Sequence, residues 1–205
     1  MTKYEELRQR HISDLNSLLP QYIERVSWSE SDLQTERNLR LRALIRTAKE
    51  KSPWHKKRLA DVDENTISEE DLQKIPPMTK TDLMNNWDQI VTDRRLSLSL
   101  VEEHLEKKQA NTYLLDTYNV VASGGSSGLR GVYIYDWTSW IMYSIMLRRW
   151  GIKQKKEADN TDDTPQVGAN VSTVKPSHIS YAIRRTFSPT GVPPNPFSID
   201  QPLEE

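Results

Sequence analysis

The sequence predicts an α/β fold in which a mostly helical N-terminal portion leads into a sheet covered by helices. Apolar residues recur at helical spacing in several segments before residue 110. Two apolar runs with strand-like composition, 113–122 and 132–135, flank a stretch rich in glycine and serine, and strand-like and helix-like segments then alternate. These observations divide the chain into a helical portion, residues 1–110, and an α/β portion, residues 111–205.

The N-terminal portion contains two long predicted helices. Residues 4–19 carry apolar side chains on or near one face, and Pro20 is expected to interrupt that helix. Residues 32–51 form the second, with Ser31 or Asp32 as its N-cap. Shorter helices are predicted at 68–74, 79–87 and 100–108, the first of them opened by a capping box.

Composition excludes several classes of function. The 205 residues include no cysteine, which rules out disulfides, thiolate zinc sites and cysteine nucleophiles. The net charge is −1 with both signs mixed along the chain, whereas a nucleic-acid partner requires a concentrated basic face. No signal peptide and no apolar run of membrane-spanning length is evident, so the sequence predicts a cytoplasmic protein without a nucleic-acid or membrane partner.

The stretch Ser123–Gly131 is the most informative part of the sequence. Four of the seven glycines fall between Gly124 and Gly131, and the flanking runs predict a hairpin with this stretch at its tip. Glycine lets backbone N–H groups approach an anion, and the serines add hydroxyl donors. A phosphate-binding loop and a plain hairpin loop both remain open. A Walker A loop or dinucleotide fingerprint fits poorly, because a strand rather than a helix follows.

The elements after the hairpin complete the α/β pattern. Asp136 is expected to cap a helix over 137–150, which is apolar on more than one side and so should be buried against a sheet. Residues 153–165 are polar without periodicity and predict a mobile loop. A short strand over 167–174 and a helix opened by Pro176-Ser177-His178, with Ser177 as its cap, follow.

Three ordered motifs resemble one enzyme superfamily. Ser123–Gly131, followed by Tyr135-Asp136-Trp137, resembles the phosphate loop of the acyl-adenylate-forming (AMP-binding) enzymes, and looks most like relatives of phenylacetate–coenzyme A ligase. Upstream, Ser52–Leu59 and the pair of segments Ser68–Leu72 and Ile75–Leu83 resemble further elements of that group. The similarity runs from about residue 33 to the C-terminus.

The resemblance implies a reaction and its participants. The family joins a small-molecule carboxylic acid to the α-phosphate of ATP, with Mg²⁺, and transfers the acyl group to a thiol such as coenzyme A. It implies that the loop binds the ATP phosphates and that His178 lines the acyl pocket. The implied phosphate-binding residues are Ser123, Gly124, Gly125, Ser126, Ser127, Gly128 and Arg130. No general base is needed, because a carboxylate is already a nucleophile, and no catalytic residue or metal ligand is predicted.

The sequence also departs from the family pattern. Leu129 stands where the family loop usually carries lysine, and the adjacent Arg130 is a candidate for that charge. The chain matches only the N-terminal part of the large domain, without the later nucleotide motifs and the small C-terminal domain. We therefore expect it to be inactive alone, and a second polypeptide that completes the domain stays open. The other hypothesis is a truncated, non-catalytic remnant or partner-binding module that retains the scaffold.

Overall fold

The computed structural model describes residues 1–108, 112–123, 128–157, 170–171, 173, 175–188 and 196–197. Within these ranges the chain is mostly helical, with two small two-stranded sheets, and so is mixed α/β as expected. The α-helices are α1 Lys3–Glu24, α2 Glu30–Lys51, α3 Pro53–Arg58, α4 Lys80–Asn85, α5 Trp87–Ile90, α6 Leu98–Lys107, α7 Trp137–Glu157 and α8 Ile179–Phe187. The strands are β1 Asn119–Ala122, β2 Val132–Tyr135, β3 Asn170–Val171 and β4 Pro196–Phe197. Two 3₁₀ helices cover Arg25–Ser27 and Glu69–Lys74.

Helix α1 continues through Pro20, so the prediction that this proline interrupts it is wrong. Proline removes one backbone donor and disfavours a helix interior by about 3 kcal/mol. The loss is offset because the turn beyond Pro20 carries Tyr22, which is buried in the core together with Leu15. Burying such side chains stabilises the last turn by an amount comparable to the proline penalty.

Helix starts in the N-terminal portion follow the capping signals, with one change of residue. The N-cap of α2 is Ser29, whose hydroxyl accepts from the N–H of Asp32 at 3.1 Å, and not the predicted Ser31 or Asp32. Ser68 forms the predicted capping box, although the segment that it opens is a 3₁₀ helix. Thr79 forms a second capping box with Asp82 and opens α4.

The predicted hairpin is present. Strands β1 and β2 pair antiparallel, with Val120 opposite Ile134 and Ala122 opposite Val132. The first strand is shorter than predicted because Leu114 and Tyr118 close a tight turn. Its residues Leu115 and Asp116 have positive φ angles of 52° and 54°. Aspartate tolerates this backbone region better than most residues.

The hairpin lies between two hydrophobic clusters, which fixes its position. One face, with Val120 and Val132, packs with α5 and α6 against Trp87 and Val101. The other cluster joins Val121 to α1, α7 and α8, and includes the fully buried Trp140. Both faces are therefore covered by helices near the base of the loop.

Helix α7 differs from its prediction in length and in burial. Asp136 caps it as expected, accepting from the N–H of Ser139 at 2.8 Å. The helix extends to Glu157, so residues 153–157 are helical rather than part of a mobile loop, and 158–165 lie outside the described residues. Its second half exposes Leu147 and Trp150, so it is not buried on all sides.

The C-terminal elements are short. Strands β3 and β4 pair in parallel, Asn170 with Pro196 and Val171 with Phe197. The N-cap residue of α8 is His178, not Ser177. In the part of the chain that the structure covers, no helix combines the length and hydrophobicity that a membrane span requires.

Candidate phosphate-binding site

The base of the glycine–serine loop is closed by two hydrogen bonds between Ser123 and Gly131. The N–H of Ser123 donates to the carbonyl of Gly131 at 2.9 Å, and the N–H of Gly131 donates to Oγ of Ser123 at 2.8 Å. Gly128 has a φ of 80°, a conformation that side chains with a Cβ disfavour. The predicted phosphate ligands Gly124, Gly125, Ser126 and Ser127 lie outside the described residues.

A lysine from another element reaches this loop. Lys80 is the first residue of α4, and its Nζ donates to the carbonyl oxygen of Leu129 at 3.2 Å. The ammonium group is thus held beside position 129, where the sequence has leucine. No pattern in the sequence assigned Lys80 to the site. The only signal was its place in one of the resembling motifs, together with the missing lysine at position 129.

Arg130 provides a second cation at the loop. Its side chain is exposed and forms no ion pair or hydrogen bond with the described residues. The nearest acid in α4, Asp82, is engaged in the capping box and accepts from the hydroxyl of Thr79 at 2.6 Å. That hydrogen bond, with the one from the Thr79 backbone N–H, lowers the pKa of Asp82. The carboxylate is therefore directed to the helix terminus.

Tyr133 places a hydroxyl at the base of the loop. A Cβ built on Gly131 would lie 2.7 Å from this oxygen, so the phenol ring folds back over the glycine backbone. The side chain remains 38% exposed. A Cβ at position 131 would therefore require this exposed ring to move aside.

The structure brings His178 to the same end of the hairpin. The N–H of Ala122 donates to the carbonyl of Ser177 at 2.8 Å, and Ala122 and His178 form a parallel bridge. His178 therefore lies beside the residue that precedes Ser123. Its Nδ1 and the hydroxyl of Ser180 are 3.1 Å apart.

The start of α8 lies near the loop and carries the partial positive charge of a helix N-terminus. His178 makes no side-chain cap bond to the first turn of this helix. Uncapped N–H groups at a helix start favour anions through their partial positive charge. Lys80 and Arg130 also place two positively charged side chains at the loop, although the net charge of the chain is −1.

An open apolar cavity of about 340 Å³ adjoins the site along the outer edge of β2. It is lined by Leu83, Trp87, Ile90, Val91 and Thr92 from the helical side and by all four residues of β2. Leu83 lies one helical turn beyond Lys80, and β2 begins directly after Gly131. The cavity and the loop base are therefore built on the same two elements, α4 and β2. The described ranges contain no cluster of three His, Asp or Glu side chains suited to a metal ion.

Searches against protein-family models, curated proteins and solved structures found no match to this chain.

Proposed function

We propose that the glycine–serine hairpin binds the phosphates of a nucleotide. The observation that supports this most is Lys80, whose ammonium group is held at the carbonyl of Leu129 in the loop. The positive φ of Gly128 and the uncapped start of α8 beside Ala122 support it independently. A loop of this kind presents backbone N–H groups, hydroxyl donors and a cation to a single anion.

We further propose that the chain is the N-terminal part of an ATP-dependent carboxylate ligase. This extension rests on the resemblance of three motifs, and it includes the finer fold assignment to the large domain of an adenylate-forming enzyme. A carboxylate oxygen would attack the α-phosphorus of ATP. The bond from that phosphorus to the bridging oxygen of the β-phosphate would break, and pyrophosphate would leave with the electron pair.

The residues of this chain would act on the leaving group. Lys80, Arg130 and the hydroxyl of Ser123 would stabilise charge that develops on the departing pyrophosphate, which is electrostatic catalysis. His178 would face the acyl group, since it lies beside Ala122 at the loop base. The described residues offer no carboxylate cluster for Mg²⁺, so we assign no step to it. Transfer to coenzyme A belongs to the same proposal and follows from the resemblance alone.

Calorimetric titration with ATP and Mg²⁺ tests the phosphate-binding role. We expect saturable binding that weakens about tenfold in Gly128→Ala, because the left-handed backbone is strained by a Cβ by about 1–2 kcal/mol. Gly151→Ala is the matched control, since Gly151 lies within α7 and a Cβ there would contact nothing within 4 Å. No binding by a protein that circular dichroism shows to be folded, or equal affinity in both variants, would reject the proposal.

The second candidate function is a partner-binding scaffold without catalysis. It is favoured by an exposed apolar patch on α7, formed by Met146, Leu147 and Trp150, with exposures of 41%, 61% and 58%. Contiguous exposed apolar residues often mark an interaction surface. A photo-crosslinking residue at position 147 should give one discrete adduct in cells, with the exposed Gln34 as control position. Equal labelling from both positions would contradict this function.

A further inference from the structure

The outer edge of β2 presents unpaired backbone groups to the apolar cavity. The hydrogen bond from Ser123 to Gly131 sets the alternation of the antiparallel ladder, so Val132 and Ile134 direct their N–H and C=O groups away from β1. The partner strand follows the same alternation. There, the outward carbonyl of Val120 accepts from Lys108 and the outward N–H of Ala122 donates to Ser177.

Ile134 carries the free donor and acceptor at this edge. The carbonyl of Val132 accepts from Nε1 of Trp87 at 3.1 Å, which closes one end of the cavity. Among the described residues, no group bonds to the outward N–H or C=O of Ile134. A ligand in the cavity would therefore meet the donor and the acceptor of Ile134, side by side, between apolar walls.

We infer that this cavity binds the purine base of the nucleotide whose phosphates occupy the loop. A purine is flat and carries a ring nitrogen next to an exocyclic group, a pattern that pairs with the N–H and C=O of one extended residue. Trp87 and Leu83 would cover its apolar faces. The cavity volume of about 340 Å³ lies within the range of small-ligand sites.

The cavity fits a compact ring better than an added peptide strand. Strand addition needs a row of free backbone groups, and β2 has only four residues. The carbonyl of Val132 already accepts from Trp87, so Ile134 is the residue of this edge whose N–H and C=O are both free to pair. The N–H and C=O of one residue can pair with a ring nitrogen and the adjacent exocyclic group of a heteroaromatic ring.

The inference rests on the proposed nucleotide binding and extends it to the base. Gly131 and Ile134 are three residues apart on an extended strand, so the loop base and the free pair are separated by about 10 Å. Lys80 and Leu83 lie on the same helix, with the lysine at the loop and the leucine at the cavity. One nucleotide could therefore contact both.

Calorimetry with ATP and with inorganic tripolyphosphate distinguishes binding of the base in the cavity from binding of the phosphates at the loop. Thr92→Trp would fill the cavity, and Gln89→Trp is the matched control because Gln89 is exposed on α5 and does not line it. We expect Thr92→Trp to weaken ATP binding at least tenfold and to leave tripolyphosphate binding unchanged. Gln89→Trp should alter neither affinity.

A second measurement uses the unaltered protein, so the test of the base site does not depend on the variant folding correctly. In amide NMR spectra, ATP should shift the Ile134 signal and tripolyphosphate should not. Unchanged ATP affinity in Thr92→Trp, or an Ile134 signal that ATP leaves in place, would overturn the base site while phosphate binding stands. Failure of both ligands to bind the unaltered protein would overturn the proposed function and the base site with it.

Discussion

The ammonium nitrogen of Lys80 lies 3.2 Å from the carbonyl oxygen of Leu129, although the two residues are 49 positions apart in the chain. This contact joins the start of α4 to the loop of the hairpin. It also places a positive charge beside position 129, where the sequence has leucine.

Replacement of Lys80 by glutamine should weaken pyrophosphate binding about tenfold, because a hydrogen bond to a charged group contributes about 1.5–3 kcal/mol. The exposed Lys57→Gln is the matched control, since it removes the same charge far along the chain. Calorimetry at two salt concentrations measures both variants. Equal losses in the two would show a general charge effect and contradict a role for Lys80 in the site.

The stability of the fold should fall in acid through His11. This side chain is fully buried, its Nδ1 lies 2.8 Å from the hydroxyl of Tyr113, and its ring stacks on Trp137 with centroids 3.9 Å apart. Burial, reinforced by Arg10, lowers the pKa of His11 from 6.5 to about 4.

The direction of this pH dependence follows from the linkage between proton binding at His11 and unfolding. Between pH 6.5 and pH 4 the unfolded chain binds a proton at His11 that the folded chain does not, so the unfolding free energy decreases as pH falls. The full difference is about 3 kcal/mol. Urea unfolding across this range should show a smaller decrease in His11→Gln than in the unaltered protein, and parallel curves would contradict the assignment.

Lys108 should make the protein more stable in mild alkali. Its Nζ is buried and donates to the carbonyl of Val120 at 2.8 Å, and burial lowers its pKa from 10.5 to about 8. Between these pH values the unfolded chain holds the proton and the folded chain releases it, so the unfolding free energy rises with pH.

Comparison with Lys108→Met isolates this effect. The stability of the unaltered protein relative to the variant should increase by up to about 3 kcal/mol between pH 8 and pH 10.5. The exposed Lys57→Met should show no such increase. A constant difference between the unaltered protein and Lys108→Met would contradict the expected titration.

The two ends of α7 should respond differently to truncation. Trp140 is fully buried and its Nε1 donates to the hydroxyl of Thr186 at 3.1 Å, whereas Trp150 is 58% exposed. Trp140→Ala should lower the unfolding free energy by about 3–5 kcal/mol. Trp150→Ala should change it by about 0.5 kcal/mol or less, as measured by urea unfolding. Similar losses for both would mean that the exposed half is covered in solution.

Local signals in the sequence predicted the local features of the fold. The capping residue Asp136 placed the start of α7, and the apolar run 132–135 placed β2. The two errors in helix length have different causes. Burial of Tyr22 carries α1 past Pro20, so there a tertiary contact overrides local preference. The end of α7 is exposed, and an ion pair between Lys153 and Glu157, four residues apart, supports its last turn.

The site was predicted less completely than the fold. Pattern and resemblance singled out the loop, and the structure brings His178 to its base through the bridge to Ala122. They did not single out Lys80 or the cavity beside Ile134. Both depend on packing α4 and α5 against β2, a long-range arrangement that no sequence motif encodes.

The central claim is that the hairpin is a phosphate site, and amide NMR during titration with pyrophosphate tests it most directly. We predict saturable shifts of the Ser123, Gly128 and Gly131 amides, with one apparent affinity for all three. Dispersed spectra in which these amides do not move, or in which shifts occur only at other residues, would contradict the claim.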